Sequence, residues 1–356
     1  MSVIVPARNE EVSLGACLES LTTQSDVSLE IIVADDGSTD GTREIAESFA
    51  GVKVIRPGPL PPQWTGKNNA VFAGERHARG EWLLFTDADT VHAPGSLARA
   101  LAEARQRGAA LLSYSPEQEV HGFWEKAVMP VIFAELAATF SPSQVSDPAC
   151  AVAAANGQYI LISREAYQAV GGHAAIAASL LEDVELARAV KASGRKIFFR
   201  YGGDAVRTRM YRSFAQLREG WTKNLVFLFA SPVRLASLRL AEFLLILAAI
   251  ASAIMALVLH RRGLAAGATV LASILWVSCF RRIRRAHFSW GANLLSIFGL
   301  PVFSYLLLRS RLSHRKNRIS WKGRSYPTSG RVSPAGDFGS IRKGASGEGS
   351  GSIIQH

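Results

Sequence analysis

Two aspartates one residue apart, Asp87 and Asp89, follow the apolar run 82–86. Carboxylates at the end of a strand can hold one hard cation together with phosphate oxygens, because Mg²⁺ and similar ions usually bind through one or two carboxylates plus substrate phosphates. The pattern therefore indicates a site for a divalent cation, Mg²⁺ or Mn²⁺, and a diphosphate. Taken alone, such a triplet is common, and solvated acids in a loop turn explain it equally simply.

A second acidic pair, Asp35 and Asp36, follows the apolar run 30–34. Carboxylates at the end of a neighbouring strand can accept hydrogen bonds from a nucleobase N–H or from ribose hydroxyls. Helix capping is the simpler role, but Ser38, Thr39 or Asp40 suffices for it. Asp35 and Asp36 are therefore not needed for the cap, and their presence favours a nucleoside site.

A third pair, Glu182 and Asp183, stands where a run with helical spacing of apolar residues begins. An acceptor hydroxyl must lose its proton as it attacks a sugar carbon, so such a site needs a carboxylate base within hydrogen-bond reach. Acids are also favourable at a helix N-terminus for electrostatic reasons alone. Local sequence leaves both roles open.

Two further side chains have suitable chemistry. Lys67 lies in a Pro-rich loop and can contact donor phosphates or the nucleoside as a point charge, although a solvated surface lysine is the simpler expectation. Trp221 precedes the apolar C-terminal third and can stack on a sugar face. Anchoring at a membrane interface is an equally good role for it.

The first 114 residues predict a sheet that would bring the acidic pairs together. Runs with strand character alternate with runs of helical periodicity. Strands are predicted at 2–6, 30–34, 52–55, 82–86 and 109–114, and helices at 10–23, 42–50, 68–79 and 94–107. This order predicts an α/β fold with a mostly parallel, Rossmann-like sheet flanked by helices. Ligands bind at the carboxyl ends of strands in such sheets, so the first two acidic pairs are expected at one ligand-binding edge.

Residues 115–235 are less regular. Helices are predicted at 128–140 and at 211–229, and a further helix is predicted to begin near Glu182 within segment 176–192. A strand is predicted at 196–200. The first of these helices is apolar enough to be expected against a membrane surface.

Residues 236–310 predict a transmembrane region. Three apolar stretches, 241–259, 263–280 and 292–308, reach the length of about 17–25 residues that a bilayer requires, although Pro301 lies in the last. With the N-terminal domain in the cytosol, three spans place residues 281–285 inside and 309–324 outside. The second placement is against the positive-inside rule.

The charge is divided unevenly along the chain. Residues 1–235 carry 23 Lys and Arg against 26 Asp and Glu, whereas residues 236–356 carry 17 against 3. The positive charge flanks apolar runs, as in membrane proteins, and does not form a basic face on the folded domain, so no nucleic acid partner is expected. Residues 311–356 are predicted to be a basic, disordered tail.

The three cysteines, Cys17, Cys150 and Cys279, are too scattered for a disulfide framework or a zinc site. They are expected to be small packing residues in a reducing compartment. No signal peptide is expected, because the sequence starts directly with the first strand-like run.

Four segments in order resemble glycosyltransferase family 2, the inverting enzymes with the GT-A fold. They are V-I-V-P-A-R-N-E at 3–10, D-D-G-S-T-D-G-T at 35–42, D-A-D at 87–89 and E-D at 182–183. Their order and spacing cover about residues 1–225, so a GT-A domain is expected over residues 1–230. Four linked motifs are far more specific than any one of them.

The resemblance assigns roles that the residues alone leave open. It implies that Asp36 with Asp35 holds the nucleoside and that Asp89 with Asp87 meets the metal and diphosphate. It makes Asp183, beside Glu182, the base, with metal-assisted departure of the nucleoside diphosphate in a single displacement that inverts the sugar. The donor site is expected to comprise Pro6, Ala7, Glu10, Asp35, Asp36, Lys67 and Asp87, and the acceptor site Trp221.

A finer similarity is to the membrane-associated branch that includes carotenoid and hopanoid-linked glycosyltransferases. It rests on segments 66–68, 171–173, 182–188, 220–224 and 321–324. Segment 216–221 fits the Gln-x-x-Arg-Trp motif of many processive members only loosely, which argues against a polysaccharide synthase. Members of this branch often carry a membrane helix ahead of the first strand, and this sequence shows none there.

The sequence therefore predicts a multi-pass protein of the cell membrane with a cytoplasmic catalytic domain. It is expected to transfer a sugar from a nucleotide sugar, a UDP-sugar first, to a lipid or lipid-linked acceptor. Two alternatives remain: a soluble or polysaccharide acceptor with the membrane as tether, and a catalytically dead scaffold. A sugar nucleotidyltransferase is disfavoured, because its phosphate loop needs glycines after the first strand and residues 6–9 contain none.

Overall fold

The structure, a computed structural model, describes residues 1–316, 319–321 and 324–326. Most of the predicted C-terminal tail and parts of segment 321–324 lie outside the described residues. The strands in the described part of the chain are β1 (Ser2–Ala7), β2 (Glu30–Asp35), β3 (Val52–Ile55), β4 (Trp82–Phe85), β5 (Thr90–His92), β6 (Leu111–Ser115), β7 (Glu117–Gln118), β8 (Ile160–Ser163), β9 (Ile197–Tyr201), β10 (Val206–Thr208), β11 (Ile319–Trp321) and β12 (Arg324–Tyr326).

Seven strands form one sheet in the order β3-β2-β1-β4-β8-β6-β9. The neighbours β3, β2, β1 and β4 are all parallel, as are β6 and β9, whereas β8 runs antiparallel to both β4 and β6. The predicted α/β fold with a mostly parallel sheet is confirmed. The buried residues of β1 are typical of such sheets, since Val3, Ile4 and Val5 are fully covered on both faces.

Helices cover both faces of this sheet and continue into the C-terminal third. They are α1 (Leu14–Thr22), α2 (Thr42–Glu47), α3 (Gly66–Glu75), α4 (Ser96–Arg107), α5 (Phe123–Thr139), α6 (Pro142–Ser146), α7 (Arg164–Ala169), α8 (Gly172–Ala175), α9 (Glu182–Ala192), α10 (Phe214–Leu228), α11 (Pro232–Val258), α12 (Arg262–Ile283), α13 (Trp290–Leu295) and α14 (Gly299–Arg315), with 3₁₀ turns at Arg284–Ala286 and Ser296–Phe298.

The predicted elements of the first 114 residues are present, with boundaries that move by a few residues. The start of α1 moves by four residues, from 10 to Leu14, because residues 8–13 form a loop bonded to the segment after β2. The end of α3 moves by the same amount, from 79 to Glu75. The small sheet β5-β10-β7 and the strand β8 are additions that the sequence did not predict. Strands of two to four residues carry too few positions for a periodicity to show.

The helix predicted at 128–140 is longer and lies elsewhere than expected. As α5 it starts at Phe123, and most of its side chains between 127 and 135 are buried in the core rather than facing a membrane surface. It packs against α10, α12, α13 and α14. Its exposed large apolar side chains, Phe123 and Trp124, lie in its first turn.

Among the residues that the structure describes, three C-terminal helices are long and apolar enough to cross a membrane: Pro232–Val258, Arg262–Ala286 and Trp290–Arg315. They contain the three predicted stretches except for residue 259, which follows the end of the first helix. The third combines α13, a 3₁₀ turn and α14, and Pro301 falls in the first turn of α14, where proline is tolerated.

Candidate functional site

The carboxyl ends of three neighbouring parallel strands form one edge of the main sheet. Strands β2, β1 and β4 end there in this order, at Asp35, Ala7 and Phe85. The acidic pairs that follow β2 and β4 therefore lie on either side of the loop that follows β1. The structure thus brings the first two acidic pairs to one edge of the sheet, as the alternation of strands and helices predicts.

A cavity of about 790 Å³ opens at this edge. The sequence-predicted residues that line it are Pro6, Ala7, Glu10, Asp36, Lys67, Asp87, Asp89, Glu182, Asp183 and Trp221. Residues from β1, from the loops after β2 and β4, and from α3, α9 and α10 thus meet around one space. Asp35 is the one predicted site residue that is not among the lining residues.

Asp35 holds the turn on which its neighbour stands. Its side chain is 2% exposed, and its Oδ1 accepts a hydrogen bond from the Ser38 backbone N–H at 3.0 Å. Gly37 follows with a φ of +70°, a left-handed conformation that side chains other than glycine rarely adopt. The turn leaves Asp36 on the cavity wall, and the backbone N–H of Asp36 donates to the Ala7 carbonyl at 2.9 Å.

The loops after β1 and β2 are bonded to each other. The Arg8 guanidinium donates to the carbonyl of Asp36 at 2.6 Å, and Asn9 Oδ1 accepts from the backbone N–H of Thr39 at 2.9 Å. The backbone N–H of Glu10 donates to Thr42 Oγ1 at 2.7 Å. These bonds hold Glu10 and Asp36 at fixed positions at the mouth of the cavity.

The loop carrying Asp87 and Asp89 is closed by a threonine. Thr90 Oγ1 donates to the carbonyl of Asp87 at 2.8 Å and lies 2.9 Å from Thr86 Oγ1. Burial raises the pKa of the hydroxyl of Tyr211, which also lines the cavity, and the negative charge of Asp89 adds to this rise. The triplet is therefore a rigid turn and not a solvated loop.

Lys67 joins two of the acidic pairs. Its Nζ lies 2.7 Å from Asp87 Oδ1 and 2.8 Å from Glu182 Oε1. Burial alone would lower the pKa of this ammonium, but the two carboxylates raise it well above its usual value. Lys67 is therefore charged at every physiological pH, and it is not the solvated surface lysine that local sequence favours.

The position of Lys67 follows from the start of α3. Thr65 caps this helix by accepting the Asn68 backbone N–H at 3.1 Å. The side-chain amide of Asn68, which is fully buried, lies within hydrogen-bond distance of the carbonyls of Ile176, Ala177 and Ser179. The same residue thus anchors the loop that leads into α9 and its acidic pair.

Asp183 is held at the first turn of α9. Its Oδ2 accepts the backbone N–H of Gly157 at 2.9 Å, and its Oδ1 accepts the N–H of Val184 at 2.8 Å. Burial, reinforced by the adjacent Glu182 carboxylate, raises the pKa of Asp183 to about 6, while Lys67 opposes the rise. A carboxyl group poised near neutrality is a suitable general base.

The pKa of Glu182 is shifted in the opposite direction. Burial would raise its pKa, but the ammonium groups of Lys67 and Lys223 hold the pKa below its ordinary value. Two adjacent carboxyl groups whose pKa values are pushed apart are a common mark of a catalytic pair. Asp183 is the member that can take up a proton near pH 6, and Glu182 stays ionised.

Gly157 was not found by sequence reasoning. A Cβ at this position would lie 3.1 Å from Lys67 Nζ and 3.4 Å from both Asp183 Oδ2 and Glu182 Oε1. The glycine therefore marks the point where the three charged groups converge. Its place depends on β8, which follows it, and the sequence gives no periodic signal there.

Lys223 on α10 was also missed, although it lies in segment 220–224, which contributes to the family resemblance. Its side chain lines the cavity. Burial lowers its pKa, and the charge of Lys67 adds to this, while Glu182, Asp183 and Asp87 act against it. The cavity thus has a second cation facing the same carboxylates from the opposite wall.

Trp221 is 3% exposed and belongs to the core beside the cavity. Its indole N–H points at Met129 Sδ at 3.4 Å, and its ring meets Phe133 edge-on. Such burial does not fit an anchor in a membrane interface. The glycine before it, Gly220, has no room for a Cβ because the Tyr211 ring packs there.

The two ends of the cavity differ in character. The sheet edge carries charged side chains of both signs, whereas the opposite part is lined by apolar side chains of α5 and α10 and reaches the junction between α12 and α13. Lining residues of that part include Phe133, Leu136, Phe140, Leu228, Arg285 and His287. An extended apolar molecule with one polar end fits this division.

The donor set fits a cation shared with a substrate. Within the described residues, no group of three or more His, Cys, Asp and Glu side chains is arranged to enclose a metal ion. Asp87 and Asp89 offer hard oxygen ligands at the cavity wall, and one oxygen of Asp87 contacts Lys67. Two carboxylates suit Mg²⁺ or Mn²⁺ completed by phosphate oxygens, and do not suit a metal held by protein alone.

Comparison with known proteins agrees with this geometry. Residues 2–169 match the model of the family described as "Glycosyl transferase family 2". A curated relative from Staphylococcus aureus (strain MRSA252), 4,4'-diaponeurosporenoate glycosyltransferase, is 28% identical over 342 residues, which cover 92% of this chain and 88% of the relative. The protein of the same name from strain USA300 matches with the same identity and coverage.

The fold also has a counterpart among solved structures. The mannosyltransferase PcManGT from Pyrobaculum calidifontis, solved in complex with GDP-Man and Mn²⁺, aligns with a TM-score of 0.50 and 18% identity, over 88% of this chain and 86% of that chain. At this identity the likeness concerns the fold, which is of the GT-A type, mostly parallel with flanking helices.

Proposed function

We propose that this chain, a glycosyltransferase that carries a family 2 domain, transfers a sugar from a nucleoside diphosphate sugar to a lipid or lipid-linked acceptor at the membrane surface. The observation that carries the proposal is the meeting of Asp36, Asp89 and Asp183, from three separate stretches of chain, around one cavity. The cavity continues from these carboxylates along apolar side chains toward the C-terminal helices.

The donor is assigned to the edge formed by β1, β2 and β4. Asp36 and the backbone of Pro6 and Ala7 stand where a nucleoside would be held, with Glu10 at the mouth. Lys67 faces the diphosphate. A divalent cation held by Asp89 and Asp87 would act as a Lewis acid on the diphosphate oxygens. The solved mannosyltransferase binds a nucleotide sugar with Mn²⁺, which supports the same class of donor here; a UDP-sugar is the first to test.

The transfer itself is assigned to Asp183. The acceptor oxygen attacks the anomeric carbon, the bond from that carbon to the diphosphate breaks, and the hydroxyl proton passes to the Asp183 carboxylate. Glu182 stays ionised beside Lys67 and keeps the pKa of Asp183 high enough for proton uptake. One displacement of this kind inverts the configuration of the sugar.

The acceptor is assigned to the apolar part of the cavity, with Trp221 on its wall. The name of the relative indicates a carotenoid acid as the molecule that receives the sugar, which supports an extended apolar acceptor. A carboxylate acceptor arrives without a proton, so the base is required only for a hydroxyl. A cytoplasmic catalytic domain, anchored by the C-terminal helices, would meet such acceptors at the membrane, in which apolar molecules dissolve.

Release of nucleoside diphosphate tests the proposal directly. The full chain in lipid vesicles is supplied with Mn²⁺, a panel of UDP- and GDP-sugars, and a membrane lipid extract. We expect nucleotide release that depends on the extract, with the sugar recovered in the organic phase. Sugar found only in water-soluble product would favour the tether alternative, and nucleotide binding without release under all conditions would favour the inactive scaffold.

A further inference from the structure

The third apolar stretch, α13 and α14, differs from the other two in how it sits on the molecule. In the most apolar window of Pro232–Val258 only 22% of residues are buried, and in Arg262–Ala286 only 11%, as expected for helices that face lipid. In Trp290–Arg315 the share is 56%. Its covered side packs on α5, α10 and α11.

Both ends of α14 touch α5 and α10 of residues 1–230, the segment called the transferase domain below. At its start, Gly299 lies so close to α5 that a Cβ would overlap the carbonyl of Ala127. Near its end, Ser310 Oγ accepts the Val226 backbone N–H at 3.0 Å, and His314 Nε2 donates to the Lys223 carbonyl at 2.9 Å. A helix with both ends on one domain lies along that domain and does not lead away from it.

The third stretch is interrupted where the other two are continuous. Its 26 residues, Trp290–Arg315, are long enough for a span, but a 3₁₀ turn divides them, and α14, the longer α-helical part, has 17 residues. In contrast, α11 has 27 residues and α12 has 22, and the two pack against each other as neighbours joined by a short turn. These two have the length and the exposed apolar surface of a membrane-crossing hairpin.

The hairpin begins and ends against the transferase domain. Glu135 of α5 forms ion pairs with Arg239 near the start of α11 and with Arg282 near the end of α12. Glu242 contacts the same two arginines at 2.9 and 2.7 Å. The start of α11 and the end of α12 are therefore both fixed beside α5. The exposed turn that joins the two helices, at residues 259–261, lies at the opposite end of the hairpin.

The outward side of α13 and α14 combines large apolar groups with cations. The exposed apolar residues, joined by the first turn of α5, are Phe123, Trp124, Trp290, Leu294, Phe298, Tyr305, Leu308 and Leu312. The exposed cations around them include Arg284, Arg309, Arg311 and Arg315, and the Arg284 guanidinium stacks on Trp290 at 4.3 Å. Residues 243–316 contain no Asp or Glu. Aromatic and Leu side chains beside Arg are typical of helices that lie in a membrane interface.

We infer that the chain crosses the bilayer twice, through α11 and α12, and that α13 and α14 lie in the plane of the membrane interface, with their apolar strip inserted among anionic lipid headgroups. The basic clusters at 281–285 and 309–316 then both lie on the transferase side, as the positive-inside rule favours, whereas three spans place 309–316 on the other side. Arg261 and Arg262, at the hairpin turn, lie on that other side in both topologies. Arg285 and His287, which line the cavity, lie beside this strip. The cavity therefore opens at headgroup level.

Cysteine accessibility tests the two-span topology in the full chain. In a Cys150→Ser background, which leaves only the buried Cys17 and Cys279, single variants Lys316→Cys, Arg107→Cys and Arg261→Cys are labelled with a membrane-impermeant maleimide in intact spheroplasts and in inverted vesicles. We expect residues 107 and 316 to label from the same face and residue 261 from the opposite face. Labelling of 107 and 316 from opposite faces, or of 261 together with 107, overturns the inference.

Depth-dependent quenching tests the in-plane strip. A fluorophore attached to Phe298→Cys is compared with one at Leu247→Cys, in the middle of α11, in vesicles that contain anionic lipid with nitroxides near the headgroup or deep in the acyl chain. We expect position 298 to be quenched at least twofold more by the shallow nitroxide and position 247 more by the deep one. Deep quenching at 298 would show a span. No quenching by either would show that water or a second copy of the chain covers the strip. Either result overturns the inference.

Discussion

The backbone N–H of Gly157 lies 2.9 Å from Oδ2 of Asp183, and this bond aims the carboxylate at the point where Lys67 and Glu182 also converge. The other oxygen of Asp183 accepts the N–H of Val184. Two backbone donors fix the orientation of the group without supplying a full positive charge. The pKa of Asp183 therefore stays raised, at about 6, by burial and by Glu182.

Replacing Asp183→Asn should abolish transfer to a hydroxyl acceptor while leaving donor binding intact. The amide keeps the shape of the carboxyl group but cannot take up the proton, and general bases typically contribute about 10²–10⁴-fold in rate. We expect a loss of kcat of that size in nucleotide-release assays. The donor Kd, measured by titration calorimetry, should stay within about twofold of the wild-type value, because the proposed donor site does not include Asp183.

Glu185→Gln is the matched control for this variant. Glu185 lies on the same first turn of α9, but its carboxylate pairs with Arg188 and does not line the cavity. It should keep wild-type turnover. If Asp183→Asn also kept wild-type turnover on a hydroxyl acceptor, the assignment of the base would be wrong.

The activity should fall as the pH drops through about 6. Asp183 has an ordinary pKa of 3.8 that is raised to about 6 in the folded protein, and only its ionised form can accept the acceptor proton. The acid limb of the kcat/KM profile therefore belongs near pH 6 and not near pH 4. A profile that stays flat from pH 8 down to pH 5 would show that an unperturbed carboxylate, or no base, is used.

Lys67→Met should weaken donor binding and move that acid limb upward. Lys67 lowers the pKa of both Asp183 and Glu182, so the pair should titrate at higher pH when the ammonium is removed. Loss of a charged hydrogen bond costs about 1.5–3 kcal/mol, which corresponds to a rise in donor KM of about 10- to 100-fold. The exposed Lys53 gives a control, since Lys53→Met should leave both quantities unchanged. If the pH profile of kcat/KM did not shift in Lys67→Met, the ion pairs of Lys67 with Asp87 and Glu182 would have a structural role only.

Removal of divalent cations should abolish donor binding and turnover reversibly. EDTA followed by Mn²⁺ or Mg²⁺ tests this, with nucleoside diphosphate affinity as a readout besides activity. Asp89→Asn should reduce the gain in affinity that Mn²⁺ gives, because a neutral amide is a weaker ligand for a hard cation than a carboxylate. Equal nucleotide affinity with and without Mn²⁺ in the wild-type chain would contradict the metal assignment.

Much of the proposed donor site, at the carboxyl ends of β1, β2 and β4, can be predicted from the sequence because its parts follow local rules. Strand, acid and helix succeed one another along the chain, and parallel strands necessarily present their carboxyl ends at one edge. The start of α9 at Glu182 is equally visible, since apolar periodicity begins there. The sequence therefore predicts which acids meet, although it does not separate Asp35, which bonds the turn, from Asp36, which lines the cavity.

The other half of the site depends on tertiary placement. Gly157 reaches Asp183 only because β8 enters the sheet between β4 and β6, against the direction of both. Trp221 becomes buried because α5 and the segment before α10 close over it. Long-range packing of this kind leaves no periodic mark in a single sequence.

Lys223 provides the last prediction, because it is a cavity-lining cation beside Glu182 that the sequence did not single out. It stands on α10 across the cavity from Lys67, and its ammonium helps to hold the pKa of Glu182 down. If Asp87 holds the proposed cation and diphosphate, the ion pair between Lys67 and Asp87 would weaken, and Lys223 would remain to balance the charge of Glu182.

Lys223→Met should therefore reduce kcat/KM for the donor by about tenfold or more, in line with the free energy of one charged hydrogen bond. The methionine fits the same space without charge, and Lys223→Arg should restore part of the activity because it restores the charge. Kinetics across pH 5–9, together with the thermal midpoint of each variant, separate this role from a structural one. Lys196→Met, at an exposed site, is the control. If Lys223→Met lowered only the thermal midpoint, with donor kinetics unchanged, Lys223 would serve the contact between α10 and α14 alone, where its carbonyl bonds His314.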